Sequence, residues 1–210
     1  MNGLIDLPDV SRETFERLQI YVDELRRWQR AVNLVSPSTL GTAWHRHVQD
    51  CLQLRDVVPD AETWLDMGSG GGLPGLVLAA DDRLSVTLVE SDSRKCAFLR
   101  HTASRMGIRV DIREGRLEEL MGDIRSIPHV VTARALAPLT RLLGYAHPLI
   151  GAGAIGVFPK GKRVKDELTD AHESWTFDLD VRDSRTDPDG RILCIRHLAP
   201  SRHDRSATAS

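Results

Sequence analysis

Lysine is scarce in this chain of 210 residues: only Lys95, Lys160, Lys162 and Lys165 carry it, among 28 basic residues set against 30 acidic ones. The formal charge is 28 − 30 = −2, so any surface for a polyanion must be a local patch. Cysteine is rarer still. Cys51, Cys96 and Cys194 stand far apart with no C-x-x-C pair, which argues against a disulfide framework and a structural zinc site. No apolar run approaches the ~20 residues needed to span a bilayer. The N-terminus holds Asp6 and Asp9 and no basic stretch, unlike a secretory signal. A cytosolic protein with no membrane attachment is expected. What is present is ordinary for a soluble globular chain, with 41% hydrophobic and 28% charged residues, enough to bury a core without covalent staples.

Phe15, Leu18, Val22, Leu25 and Trp28 recur at three- and four-residue steps and predict a helix with Ser11 as N-cap. A second helical stretch is expected over Thr42–Val57, after Ser36-Pro37 and before Pro59. Both precede anything strand-like, so residues 1–60 read as a helical cap on an α/β core of residues 61–198. Seven apolar runs predict strands at Trp64–Met67, Val86–Glu90, Val110–Arg113, Val130–Ala133, Ala154–Phe158, Thr176–Val181 and Ile192–His197. The amphipathic intervals between the earlier runs, such as Lys95–Met106, imply βαβ crossovers. The last two runs flank Asp187-Pro188-Asp189-Gly190, turn chemistry that predicts an antiparallel hairpin. A Rossmann-like, mainly parallel seven-stranded sheet follows, with residues 199–210 as an unstructured tail.

The most informative stretch runs from Trp64 to Leu76. A strand enters Gly68, Gly70, Gly71 and Gly72, and a helix is expected near Leu73-Pro74 with proline in its first turn. Glycines in such a turn let a ligand approach the backbone, at the sheet edge where α/β folds bind ligands. Gly70, Gly72 and Gly75 satisfy G-x-G-x-x-G, a weak dinucleotide fingerprint on its own. Glu90, closing the next strand, suits ribose hydroxyls of either NAD or S-adenosylmethionine. Asp66 tips the balance towards the methyl donor, because a carboxylate repels a pyrophosphate and favours a sulfonium. Its alternative is a buried acid bonded to the loop backbone.

The stretch Leu65-Asp-Met-Gly-Ser-Gly-Gly-Gly-Leu-Pro-Gly75 resembles the cofactor loop of the RsmG (GidB) family of 16S ribosomal RNA methyltransferases. Trp28 with Asn33-Leu34 is similar to that family's W-x-x-x-x-N-L signature, and Arg46-His47-Val-Gln-Asp50 to its R-H-x-x-D segment. Thr132-Ala-Arg134-Ala135 is similar to its S-R-A strand end, and Pro159-Lys160-Gly161 to its K-G element. Cys51 and Ala133 stand where the family usually has serine. The resemblance implies a class I S-adenosylmethionine-dependent fold and methylation of guanine N7 in the decoding-region loop of 16S RNA in the small ribosomal subunit.

That reaction needs no general base, because N7 carries a lone pair and no proton. Alignment and exclusion of water supply the catalysis. The loop itself puts Asp66, Gly70 and Gly72 at the cofactor, and the resemblance implies contacts at Gly68, Leu73, Glu90, Leu117 and Glu118. Arg134 would lie between cofactor and RNA. It is expected on a phosphate, on O6 alone or on the methionine carboxylate, since a fork onto O6 and N7 would block the reacting atom. Lys160 opens the run Lys160–Lys165, in which Lys162, Arg163 and Lys165 also suit RNA phosphates. Asn33, Arg46 and His47 complete the expected RNA side. Arg134 and Lys160 are the expected catalytic groups. Trp28 belongs to the core stripe, and His45-x-His47 is too small a set to hold a metal. A monomer without metal is expected. The alternatives are an NAD(P)-dependent oxidoreductase and a non-catalytic RNA-binding assembly factor.

Overall fold

A computed structural model describes residues 10–124 and 126–201. Helix α1 (Arg12–Trp28) begins as expected, with the Ser11 side chain accepting from the Thr14 N–H. Its buried face, including Leu18, Tyr21, Val22 and Leu25, lies in one cluster with Trp64 and Leu88 of the sheet and Leu76 and Phe98 of the helices that cover it. Trp28 packs edge-on against Phe98 at 5.8 Å between ring centroids.

The second helical stretch is helical but not uniform. A 3₁₀ segment (Pro37–Thr42) leads into a π-helical turn (Trp44–Gln49), then α2 (Asp50–Leu52) and a second 3₁₀ segment (Gln53–Val57). Periodicity announces a helix but not its winding, and π turns are frequent at functional sites.

Seven strands follow: β1 (Thr63–Met67), β2 (Ser85–Glu90), β3 (Asp111–Glu114), β4 (Val130–Thr132), β5 (Ile155–Lys160), β6 (Trp175–Asp183) and β7 (Arg191–Pro200). They form one sheet in the order β3-β2-β1-β4-β5-β7-β6. The first five pair in parallel, and β7 runs antiparallel to both β5 and β6. The hairpin is therefore present, with β7 inserted between β5 and β6. β7 extends to Pro200, which pairs with Trp175, and the Ser201 N–H donates to the Ser174 carbonyl. The strand thus claims Ala199 and Pro200 from the expected tail, whose residues 202–210 lie outside the described residues.

Side chains alternate across the sheet. Trp64, Leu88 and Val157 meet α1, α3 (Gly75–Leu78) and α4 (Ser93–Met106) on one face. Leu65, Met67, Val89, Val131 and Phe158 meet α5 (Leu117–Leu120), α6 (Leu139–Ile150) and α7 (Val164–Ser174) on the other. The order reverses between β1 and β4, because the chain steps out to β2 and β3 on one side of β1 and then crosses to β4 and β5 on the other. Open α/β sheets bind ligands at such a switch point, outside the carboxyl ends of the strands.

Candidate functional site

A cavity of about 630 Å³ opens at that point. It is walled by the glycine loop, the ends of β2, β3 and β4, and residues Leu34–Ser36, Thr39 and His47 from the N-terminal segment. Of the expected cofactor residues, Gly68, Gly70, Leu73, Glu90, Leu117, Glu118 and Arg134 line it together. Gly68 and Gly70 have φ of 68° and 55°, a left-handed backbone that glycine adopts without strain.

Nearly every amide of this loop donates inward. Gly68 and Ser69 donate to the Val89 carbonyl, and Gly72 and Leu73 to the Ser69 carbonyl. Gly70 donates to Glu90 Oε2 at 2.8 Å, while Glu90 Oε1 accepts from Ser91 and Asp92. The loop is held in addition by Tyr21, whose fully buried hydroxyl donates to the Gly71 carbonyl at 2.7 Å. In the sequence Tyr21 looks like any apolar member of a helix stripe.

Two expected cofactor residues lie elsewhere. Gly72 does not line the cavity; a Cβ there would meet Leu76 Cδ1 at 2.7 Å, so its role is packing. Asp66 is fully buried beneath the loop, with Oδ2 accepting from the Gly75 N–H at 3.0 Å and Oδ1 without a partner. It shares the face of Trp64, as the two-residue period of a strand requires, and points under α3 rather than at a ligand. Burial pushes its pKa up to about 7. The folded state then holds a proton that the unfolded chain releases near pH 4. Stability contributed by that proton is full below pH 4 and lost as pH rises towards 7. Asp66→Asn should therefore flatten the stability profile between pH 4 and 7 in denaturant titrations while leaving cofactor affinity unchanged.

Arg134 leaves β4 and enters a clasp formed by the π turn and α2. Its Nη2 donates to the Arg46 carbonyl at 2.9 Å and to His47 Nδ1 at 3.0 Å. Nη1 approaches Cys51 Sγ at 3.8 Å, and Nε stands 3.5 Å from Asp50 Oδ2. The R-H-x-x-D segment is thus a receptor for this arginine. Arginine cannot accept, so His47 Nδ1 must, and the ring proton sits on Nε2. Nε2 then donates to Thr39 Oγ1 at 2.8 Å, which donates to the Ser36 carbonyl at 2.7 Å. One run of donors connects Arg134 to the wall of the cavity. Burial, then the Arg134 charge, lowers the His47 pKa to about 4, keeping this ring neutral. Burial lifts the Cys51 thiol to about 12, so it remains a neutral partner in the serine's usual place.

The expected RNA residues are scattered. The Asn33 Oδ1 accepts from Gln29, whose side chain also binds the Leu34 and Val35 N–H groups and so shapes the wall. The exposed Arg46 side chain pairs with Asp187 at 3.0 Å. Lys162 pairs with Asp189, while Arg163 and Lys165 are exposed. Lys160 does not belong with them. Its side chain is 10% exposed and donates to Glu167 at 2.8 Å and to the Ala137 carbonyl at 3.1 Å. The same Glu167 oxygen accepts from Leu139 N–H at the start of α6. Lys160 therefore anchors the loop Arg134–Ala137, where Ala135 sits at φ 52°, its ammonium engaged within the protein. Lys160→Ala should lower stability by about 1–3 kcal/mol, the cost of unpaired buried groups, and leave the salt dependence of RNA binding unchanged. Thermal unfolding and binding at two salt concentrations check both.

The chain matches GidB, described as rRNA small subunit methyltransferase G, over residues 14–187. The chain belongs to that family. Relatives named ribosomal RNA small subunit methyltransferase G include those of Methylorubrum populi and Parvibaculum lavamentivorans. The first is 49% identical, covering 91% of this chain and 92% of its own; the second is 47% identical, covering 91% and 87%. This methyltransferase also shares its fold with distant structures. The ribosomal protein L11 methylase of Lactobacillus delbrueckii subsp. bulgaricus has a TM-score of 0.52 at 18% identity, covering 70% of this chain and 75% of its own. Cofactor-bound Rv0187 from MTB has a TM-score of 0.55 at 14% identity, covering 91% and 92%. Among the described residues no helix is long and apolar enough to cross a membrane, and no three His, Cys, Asp or Glu side chains form a metal-binding group.

Proposed function

We propose that this methyltransferase transfers a methyl group from S-adenosylmethionine to N7 of a guanine in the 16S RNA of the small ribosomal subunit. The observation that carries the choice of ligand is the inward turn of the loop amides, with the Glu90 carboxylate on Gly70 N–H. A dinucleotide's pyrophosphate needs free N–H groups at such a turn, and here a carboxylate occupies the Gly70 N–H. The residues fit the methyl donor. Glu90 lines the cavity with lone pairs to spare for ribose hydroxyls, and Gly68 and Gly70 present backbone without a Cβ.

When bound, S-adenosylmethionine supplies an electrophilic methyl that passes to the N7 lone pair. The chain's task is alignment. Glu90 orients the ribose, Leu117 and Glu118 flank the adenine, and Gly68, Gly70 and Leu73 shape the floor. Arg134, fixed by its clasp, offers its remaining donor to O6, a phosphate or the methionine carboxylate. His47, Asn33 and Arg46 shape the RNA side, and the exposed Arg163 and Lys165 serve RNA phosphates. No side chain need take a proton.

Incubating small subunits with labelled donor tests the reaction. Incorporation at one guanine, mapped as N7-methylguanine and absent from cells lacking the protein, is expected. No incorporation would leave a non-catalytic RNA-binding role instead.

A further inference from the structure

Four cationic side chains line the cavity: Lys95, Arg116, Arg134 and Arg141. Arg134 is held in its clasp, with one Nη1 proton left over. Arg141 Nε donates to the Tyr145 hydroxyl at 2.7 Å, which donates to Glu118 at 2.9 Å. Around the other two, neighbouring arginines are also paired: Arg94 with Asp92 and Arg100 with Glu114. Lys95 and Arg116 have no ion-pair partner among the described residues.

The two leave the sheet side by side. Lys95 lies in the first turn of α4, five residues beyond Glu90, and Arg116 lies two residues beyond Glu114. Glu90 and Glu114 are register partners across β2 and β3. Both cations thus line the β2–β3 side of the cavity, as does the Glu90 carboxylate that suits a ribose. The ribose and adenine end of the methyl donor carries no negative charge, and the donor's sulfonium would be repelled. This rim is therefore left for a polyanion. It lies beyond β2, whereas the Lys160–Lys165 run leaves β5 on the opposite side of the switch point.

We propose that Lys95 and Arg116 grip two phosphates of the substrate RNA next to the target guanine, so that the strand crosses the cavity mouth over the β2–β3 edge. This rests on the RNA methyl transfer proposed above. Phosphate neutralisation releases counterions, and each contact to a single strand contributes about 0.7 to the slope of log affinity against log salt.

The test is Lys95→Ala with Arg116→Ala, assayed on small ribosomal subunits with tritiated donor across a range of salt. The double variant should raise KM for subunits by about tenfold at physiological salt and flatten the salt slope by about 1.4. Affinity for S-adenosylhomocysteine and thermal stability should be unchanged. A wild-type slope in the double variant rejects the rim as an RNA contact. A fall in S-adenosylhomocysteine affinity with the slope unchanged assigns the cations to the donor and also rejects it. If the wild-type protein transfers no methyl to subunits, the underlying function fails, and this rim with it. Active wild type with an unaltered variant rejects the rim alone.

Discussion

Gly70→Val is expected to abolish detectable binding of S-adenosylhomocysteine in a calorimetric titration, a loss of at least about a hundredfold, while the protein remains folded. Gly70 lines the cavity at φ 55°. A Cβ built there has only the Gly68 carbonyl oxygen within 4 Å, at 3.8 Å, so the isopropyl group faces open space where a ligand must approach. The left-handed conformation costs an L-residue about 1–2 kcal/mol, and more for a branched side chain. Relieving that strain would swing the Gly70 N–H away from Glu90 and loosen the carboxylate as well. Gly70→Ala should give a smaller loss in the same direction. Wild-type affinity in the valine variant would mean that the donor does not lie against this loop.

Arg134→Ala should lower kcat/KM for subunit methylation by about a thousandfold, measured by initial rates. One guanidinium here answers the Arg46 carbonyl, His47 Nδ1 and the Asp50 carboxylate. Its removal leaves those groups unpaired in a poorly solvated site, each at about 1–3 kcal/mol, and severs the run through Thr39 to the cavity wall. Arg134→Lys should rescue little, because an ammonium cannot span that fork of acceptors. Thermal unfolding separates the two effects: activity should fall much further than stability in the lysine variant. Near-normal turnover in Arg134→Lys would reduce this residue to a diffuse charge.

The strands were legible because short apolar runs bounded by turn residues leave few alternatives, and β1, β2 and β5 fall within a residue or two of expectation. The glycine loop and Glu90 were legible for the same reason, since a strand must deliver them to the sheet edge. Asp66 and Lys160 were placed in the cavity and on its rim when each points into a helix layer. Both follow from strand alternation: Asp66 shares the face of Trp64, and Lys160 the face of Phe158, towards α6 and α7. Charge alone points each to a ligand, while strand parity assigns them to Gly75 and Glu167. The clasp on Arg134 could not be read at all. It joins residues more than eighty positions apart, through a π turn that periodicity does not distinguish from an ordinary helix.

The glycine loop takes a hydroxyl from Tyr21, and Arg134 takes its acceptors from the turn around Arg46 and His47. A fragment beginning at residue 61 would retain every strand yet inherit half a pocket. Chimeras between relatives should accordingly work only when residues 21–51 travel with their own loop and strand ends, making the helical start of the chain the unit of compatibility rather than an exchangeable accessory.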